Sequence, residues 1–142
     1  MTPDRFSAAR NDFVATLPES GEQRARAFLE PFGVDADRGG VFIDRSGHPL
    51  AVTPAWTEGL ERYAADELRR AARAIADPGE IRIIWKTGAD GRLLLTRRYI
   101  ASIDGIDVAV EQSRAGWRFA TSEDPGFSLD KLRAGELAWS AA

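Results

Sequence analysis

The sequence predicts an α+β domain, with N-terminal helices packed on a twisted antiparallel sheet of about four strands. Two observations carry this. The apolar period changes from near 3.6 to 2 at Asp77-Pro78-Gly79. Beyond that point, alternating runs are separated by short turns rich in glycine and aspartate, the pattern of a meander.

The elements follow in order. Thr2-Pro3 pairs a capping residue with proline at a first helical position, and Phe6, Phe13, Val14 and Leu17 recur at helical spacing up to Pro18. Ser20-Gly21-Glu22-Gln23 has capping-box spacing and opens a second helix through Ala25, Phe28 and Leu29 that ends at Pro31-Phe32-Gly33. Val41-Phe42-Ile43 and Leu50-Ala51-Val52 predict a small hairpin around Asp44-Arg45-Ser46-Gly47. Thr53-Pro54 repeats the cap-plus-proline signal. The stripe Trp56, Leu60, Tyr63, Ala64, Leu68, Ala71 and Ile75 then predicts one long helix. Ile81, Ile83 and Trp85 begin the sheet, and Gly88-Ala89-Asp90-Gly91 turns it into a strand from Leu93 to Ala101. Asp104-Gly105 leads to Ile106, Val108 and Val110, Ala115-Gly116 leads to Trp117, Phe119 and Thr121, and Leu137 and Trp139 form a final short strand. The expected organisation is a single domain over 1–142, with 1–35 a helical N-terminal extension.

Composition narrows the chemistry. The 142 residues suffice for a core without covalent staples. With no cysteine, disulfides, thiolate nucleophiles and Cys-ligated metals are excluded, and with His48 as the sole histidine a two-histidine acid–base pair is excluded too. No metal site and no cofactor is expected: glycine-rich phosphate loops, dinucleotide fingerprints and acidic loops of Ca²⁺ or Mg²⁺ spacing are all missing. The start of the chain lacks a signal-peptide pattern and no apolar run approaches membrane-span length, so a cytoplasmic location is expected.

The net charge of −3 argues against a generic polyanion binder, so any nucleic-acid surface is a local patch. Residues 79–133 hold 9 Lys/Arg against 8 Asp/Glu, whereas residues 1–78 hold 10 against 13, which places that patch in the second half. Seventeen of the 19 basic residues are arginine, so position and not residue type must mark a site. Arg97-Arg98-Tyr99 is the first position to examine, because a buried strand arginine is costly unless an anion meets it.

From about Gln23 onward the chain resembles the phage-borne barnase/EndoU/colicin/RelE-like nuclease domains, found at the C-terminus of, or near, Mu-like phage head-morphogenesis proteins. The resemblance rests on Arg24-Ala25-Arg26-Ala27-Phe28-Leu29 before Phe32-Gly33, on Gly47-His48-Pro49-Leu50-Ala51-Val52, and on Ala74 to Ile81. It continues through Leu95-Thr96-Arg97-Arg98-Tyr99-Ile100, Gly116-Trp117, Thr121 and Arg133-Ala134-Gly135-Glu136-Leu137. Two positions depart from the pattern: Arg82 stands where an aromatic usually follows Glu-Ile, and Ser122-Glu123 stands where an apolar or aromatic pair usually follows the threonine.

The resemblance implies an activity of the phage or prophage toxin or effector type, in the cytoplasm or in a phage particle: metal-independent RNA cleavage by attack of a ribose 2′-hydroxyl on the adjacent phosphate. RNA, tRNA included, is the implied partner, with a phage head protein or an immunity protein as further candidates and no membrane. That reaction needs cations on the phosphorane, a proton acceptor and a proton donor. Arg98 and Lys86 are the candidate phosphate cations, Thr121 a hydrogen-bond donor and Glu80 a base. Arg97, Tyr99, Arg133 and Trp85 are candidate substrate contacts, the aromatics by stacking on bases. Strand alternation sends Arg97 and Arg98 to opposite faces, so one of them lines the site; Arg98 is favoured, because Leu93, Leu95 and Tyr99 share the face of Arg97 and read as core. Two alternatives stay open: a catalytically inactive RNA- or protein-binding module, and a head-assembly accessory protein.

Overall fold

A computed structural model describes residues 21–141 apart from Ala36, Pro54, Ala55, Thr57, Gly59, Leu60, Glu61 and Ala115. The helix expected over Phe6 to Leu17, and the Ser20 and Pro54 caps, lie outside the described residues.

Helix α1 (Gly21–Leu29) runs into a 3₁₀ turn (Glu30–Phe32) that Gly33 ends in the left-handed region, φ 68°. Ala27, Phe28, Leu29 and Phe32 are buried, so this part of the expected extension belongs to the core. Strands β1 (Gly40–Ile43) and β2 (Pro49–Val52) form the small hairpin in antiparallel register, Phe42 opposite Leu50. Its approach demands glycine at position 39: φ is +73°, and a Cβ would fall 2.2 Å from the Val52 carbonyl oxygen.

Helix α2 (Ala65–Ala76) is shorter at its start than the apolar stripe predicts. Ala64 is extended (φ −76°, ψ 157°) and its N–H donates to Glu67 Oε1 at 3.0 Å, half of a capping box. Trp56 and Tyr63 stand before the helix yet pack against the same core as Leu68, Ala71 and Ile75. Their helical spacing therefore reports a shared destination, not a shared helix.

Strands β3 (Glu80–Thr87), β4 (Leu93–Ile103), β5 (Ile106–Ser113) and β6 (Gly116–Thr121) follow as an antiparallel meander. Asp104 and Gly105 both have positive φ, 51° and 81°, as a two-residue hairpin turn of primed type requires. The short helix α3 (Leu129–Leu132), capped by Ser128, leads to β7 (Glu136–Ser140), which pairs antiparallel with β3. The sheet thus has five strands in the order β6-β5-β4-β3-β7, one more than expected, because the final short strand joins the far edge.

Pairing registers divide the sheet into two faces. Ile81, Tyr99, Ala101, Ile103, Val108 and Val110 form the inner face and pack with Phe28, Leu68, Ala72 and Ile75. Phe28 stacks on Trp117 at 4.5 Å between centroids, and the Trp117 indole N–H donates to the Trp56 carbonyl at 2.8 Å. Arg82, Lys86, Thr96, Arg98, Glu111 and Arg118 share the other, outer face. Part of that face lies under α3, since Arg98 Nη1 donates to the Leu132 carbonyl at 2.8 Å. No helix among the described residues is long and apolar enough to cross a membrane.

Candidate active site on the outer face of the sheet

Arg98, Glu111 and Arg118 sit opposite one another on β4, β5 and β6, in one row across the sheet. Glu111 is the hub. Its Oε2 accepts from Arg98 Nε at 2.9 Å and from Arg98 Nη2; its Oε1 accepts from Lys86 Nζ at 2.8 Å and Arg118 Nε at 3.0 Å. Burial alone would raise the proton affinity of Glu111, but the hydrogen bonds from Lys86 and Arg98 and the Arg98 charge outweigh it and bring the pKa down to about 2. Three cations around one carboxylate leave two positive charges in excess. Clefts of about 260 and 360 Å³ flank the row, both lined by Lys86, Glu111 and Arg118. The arrangement is a cationic cluster on a largely buried carboxylate, reached through the clefts, with Arg98 buried beneath α3, Lys86 half-buried and Arg118 exposed; its excess positive charge suits an anion such as a phosphodiester.

A second pair lies lower on the same face. Glu80 accepts from Arg82 Nε and from Arg133 Nε, each at 3.0 Å, one on each oxygen. Glu80 and Arg133 are thereby brought together, with each Glu80 oxygen engaged by one guanidinium group.

The inner face holds a different cluster. Asp44, in the β1–β2 turn, accepts on Oδ1 from Ser46 N–H (2.8 Å), Ser46 Oγ (2.6 Å) and His48 N–H (2.9 Å). Its Oδ2 accepts from Arg97 Nη2 (2.9 Å), Arg97 Nε (3.2 Å) and Tyr99 OH (2.7 Å). Burial would raise the Asp44 pKa, but the hydrogen bonds from Ser46, Tyr99 and His48 and the Arg97 charge hold it below the usual carboxylate range. Burial and then the Asp44 hydrogen bond push the Tyr99 hydroxyl well above its ordinary value. Arg97 and Tyr99 are thus occupied in closing the hairpin onto the sheet, and the structure does not bring them to the Arg98 face.

Thr121 is not brought there either. It pairs with Val108 on the inner face, is buried, and its Oγ1 accepts the Glu123 N–H at 3.2 Å. Leu93 and Leu95, read as core, are 64% and 48% exposed, because the β3–β4 hairpin projects past the helices that cover Tyr99. Trp85 opposite Leu95 is 65% exposed. The expectation that a buried arginine marks an external anion also changes. Arg97 and Arg98 are both buried, and each meets a carboxylate of the chain itself. The sequence reading missed Glu111, Arg118 and Asp44. The first two were reachable: two-residue turns after Ile103 and Ser113 set the registers that align Arg98, Glu111 and Arg118.

Residues 27–140 match the family described as phage-Barnase-EndoU-ColicinE5/D-RelE like nuclease2. The chain belongs to this family of phage nucleases. No curated protein and no solved structure matches the chain. The match covers every strand of the sheet and both clefts, so the Lys86–Arg98–Glu111–Arg118 row lies inside the nuclease domain.

Proposed function

We propose that the chain is a metal-independent endoribonuclease whose centre is the Glu111 row. The observation that carries the reading is one carboxylate held among three cations on the open face of a nuclease-family sheet. An RNA phosphate entering the clefts recruits Arg98 and Arg118 as forked donors, and each cation drawn away from Glu111 raises the proton affinity of that carboxylate. Glu111 then takes the proton of the ribose 2′-hydroxyl. The 2′-oxygen bonds to phosphorus, the bond from phosphorus to the 5′-oxygen breaks, and Lys86 supplies the proton to the departing oxygen. The products are a 2′,3′-cyclic phosphate and a 5′-hydroxyl. Arg98 and Arg118 stabilise the charge of the phosphorane, which is where most of the rate arises. Thr121 and Glu80, the sequence candidates for donor and base, serve here as fold contacts.

The test is incubation of the protein with single-stranded RNA and with tRNA in EDTA, beside Glu111→Gln. Cleavage leaving cyclic phosphates, reduced on the order of 10²-fold or more in the folded variant, supports the reading. Parental rates in Glu111→Gln would remove Glu111 from the chemistry. A second reading is an RNA-binding domain without cleavage. It is favoured by Glu111 being fully hydrogen-bonded in the free protein, and it predicts salt-sensitive RNA binding with no product.

A further inference from the structure

Cover on the inner face of the sheet stops at one row. Ile81, Tyr99 and Val110 are buried beneath the helices, and Arg97 is closed off by Asp44. Further along the β3–β4 hairpin, Trp85, Leu95 and Leu93 lie on that same face and are exposed, with Ile83 half-buried beside them. Strand alternation sets all four on the face opposite Arg98, Glu111 and Arg118. An indole and two leucines together on one hairpin form an apolar patch of the kind that another element ordinarily covers. Among the described residues no helix or strand covers it.

We propose that this patch is the docking face of the chain's own N-terminal segment, residues 3–17, seated on it as an amphipathic helix. Three observations name that occupant. The first is composition. Phe6, Phe13, Val14 and Leu17 recur at helical spacing between Thr2-Pro3 and Pro18, and such a stripe needs an apolar surface to lie on. The second is reach. Arg24 Nε donates to the Tyr63 carbonyl at 3.0 Å, and the Tyr63 ring packs against Trp117, so the first turn of α1 lies near β6. Trp117 shares a row with Gln112, Arg97 and Ile83, and three strand spacings, about 14 Å, separate β6 from β3. A helix over residues 3–17 is about 22 Å long, enough to run from the start of α1 back to Trp85. The third is charge. Arg10 falls inside the stripe, and Glu136, exposed and opposite Ile83 on the same face, supplies a carboxylate at the rim of the patch. The segment precedes the family match at residues 27–140 and docks away from the clefts around Glu111, so the proposal is independent of the nuclease reading.

The chain has no cysteine, so one introduced thiol reports cover at one position. Leu95→Cys places it in the patch and Arg92→Cys in the exposed turn beside it. Maleimide labelling is timed on the full chain, and each rate is divided by the rate of the same variant in urea. Leu95→Cys should react at least about tenfold more slowly than Arg92→Cys, because a covered thiol reacts only in local openings. Adding Phe6→Asp and Phe13→Asp should return that factor of about ten. Equal rates for Leu95→Cys and Arg92→Cys in the otherwise native chain overturn the docking whether or not the aspartate variant folds. Slow labelling that persists in the folded aspartate variant overturns the segment as the occupant. If the rate then rises on dilution, and sedimentation shows a dimer, the patch belongs to a second copy. Should the aspartate variant unfold, Arg10→Glu takes its place: labelling should speed up, and adding Glu136→Arg should slow it again. Indifference to both charge reversals overturns the docking.

Discussion

Arg97 and Arg98 leave β4 on opposite faces, and each ends on a carboxylate. On the inner face, Asp44 and Arg97 are joined by Ser46, His48 and Tyr99, and nearly every donor has an acceptor beneath a covering hairpin. On the outer face, Glu111 faces three cations, and clefts reach the group from both sides. The same ion pair therefore serves as a staple in one place and as the centre of the proposed site in the other. What separates them is the balance of charge and the access of solvent, not the residues involved. A buried pair that is internally balanced offers a ligand nothing, whereas an excess of positive charge on an open face attracts an anion.

The comparison breaks most visibly at Asp44. Asp44→Ala leaves Arg97 and Tyr99 buried without their acceptor, and should cost about 3–5 kcal/mol in urea denaturation. Cleavage per folded molecule should persist; its loss would mean that the inner cluster belongs to the site after all.

Acid comes next. The pKa of Glu111 is lowered from 4.5 to about 2 on folding, so its contribution is fully present above about pH 4.5 and is lost as pH falls toward 2. The amount at stake is on the order of 3 kcal/mol. Asp44, also held low, shares this acid limb. Chemical denaturation from pH 7 to 2.5 should show a shallower decline in Glu111→Gln than in the parent, and parallel curves would argue that Glu111 is not held by its cations.

Arg98→Ala should lower cleavage about 10²-fold. It should also destabilise by about 1–3 kcal/mol, since it strips Glu111 of its most buried partner. Arg98→Lys restores charge without the fork, so stability should recover more than rate. Equal recovery of both would reduce Arg98 to a structural role. The smallest effect belongs to Thr121→Ala: about 1 kcal/mol from the lost Glu123 N–H contact, with cleavage within twofold of the parent. A large rate loss there would join the two faces into one site.

How much of this was legible follows from the range of each interaction. The meander, the hairpin and the Arg97/Arg98 divergence came from local period and turn chemistry. The row Arg98–Glu111–Arg118 was within reach of the same logic, because short turns fix register. Asp44 with Arg97 was not, since the pair spans 53 positions and no local pattern selects one aspartate among several. The start of α2 was obscured by Trp56 and Tyr63, which enter the same core from outside the helix. The fifth strand was recognised as a strand, but its place beside β3 depends on α3 carrying the chain across the outer face.

The Asp44 staple has a consequence for motion on long timescales. Backbone amides in a surface turn ordinarily exchange with solvent in local openings that cost almost nothing. The Ser46 and His48 amides are instead tied to a carboxylate that also holds Arg97 and Tyr99 of the central strand. Freeing either amide means lifting the hairpin from the sheet, so both should exchange at rates close to those of the slowest β4 amides. The turn and the middle of the sheet then open as one cooperative unit, although 53 residues of chain separate Asp44 from Arg97.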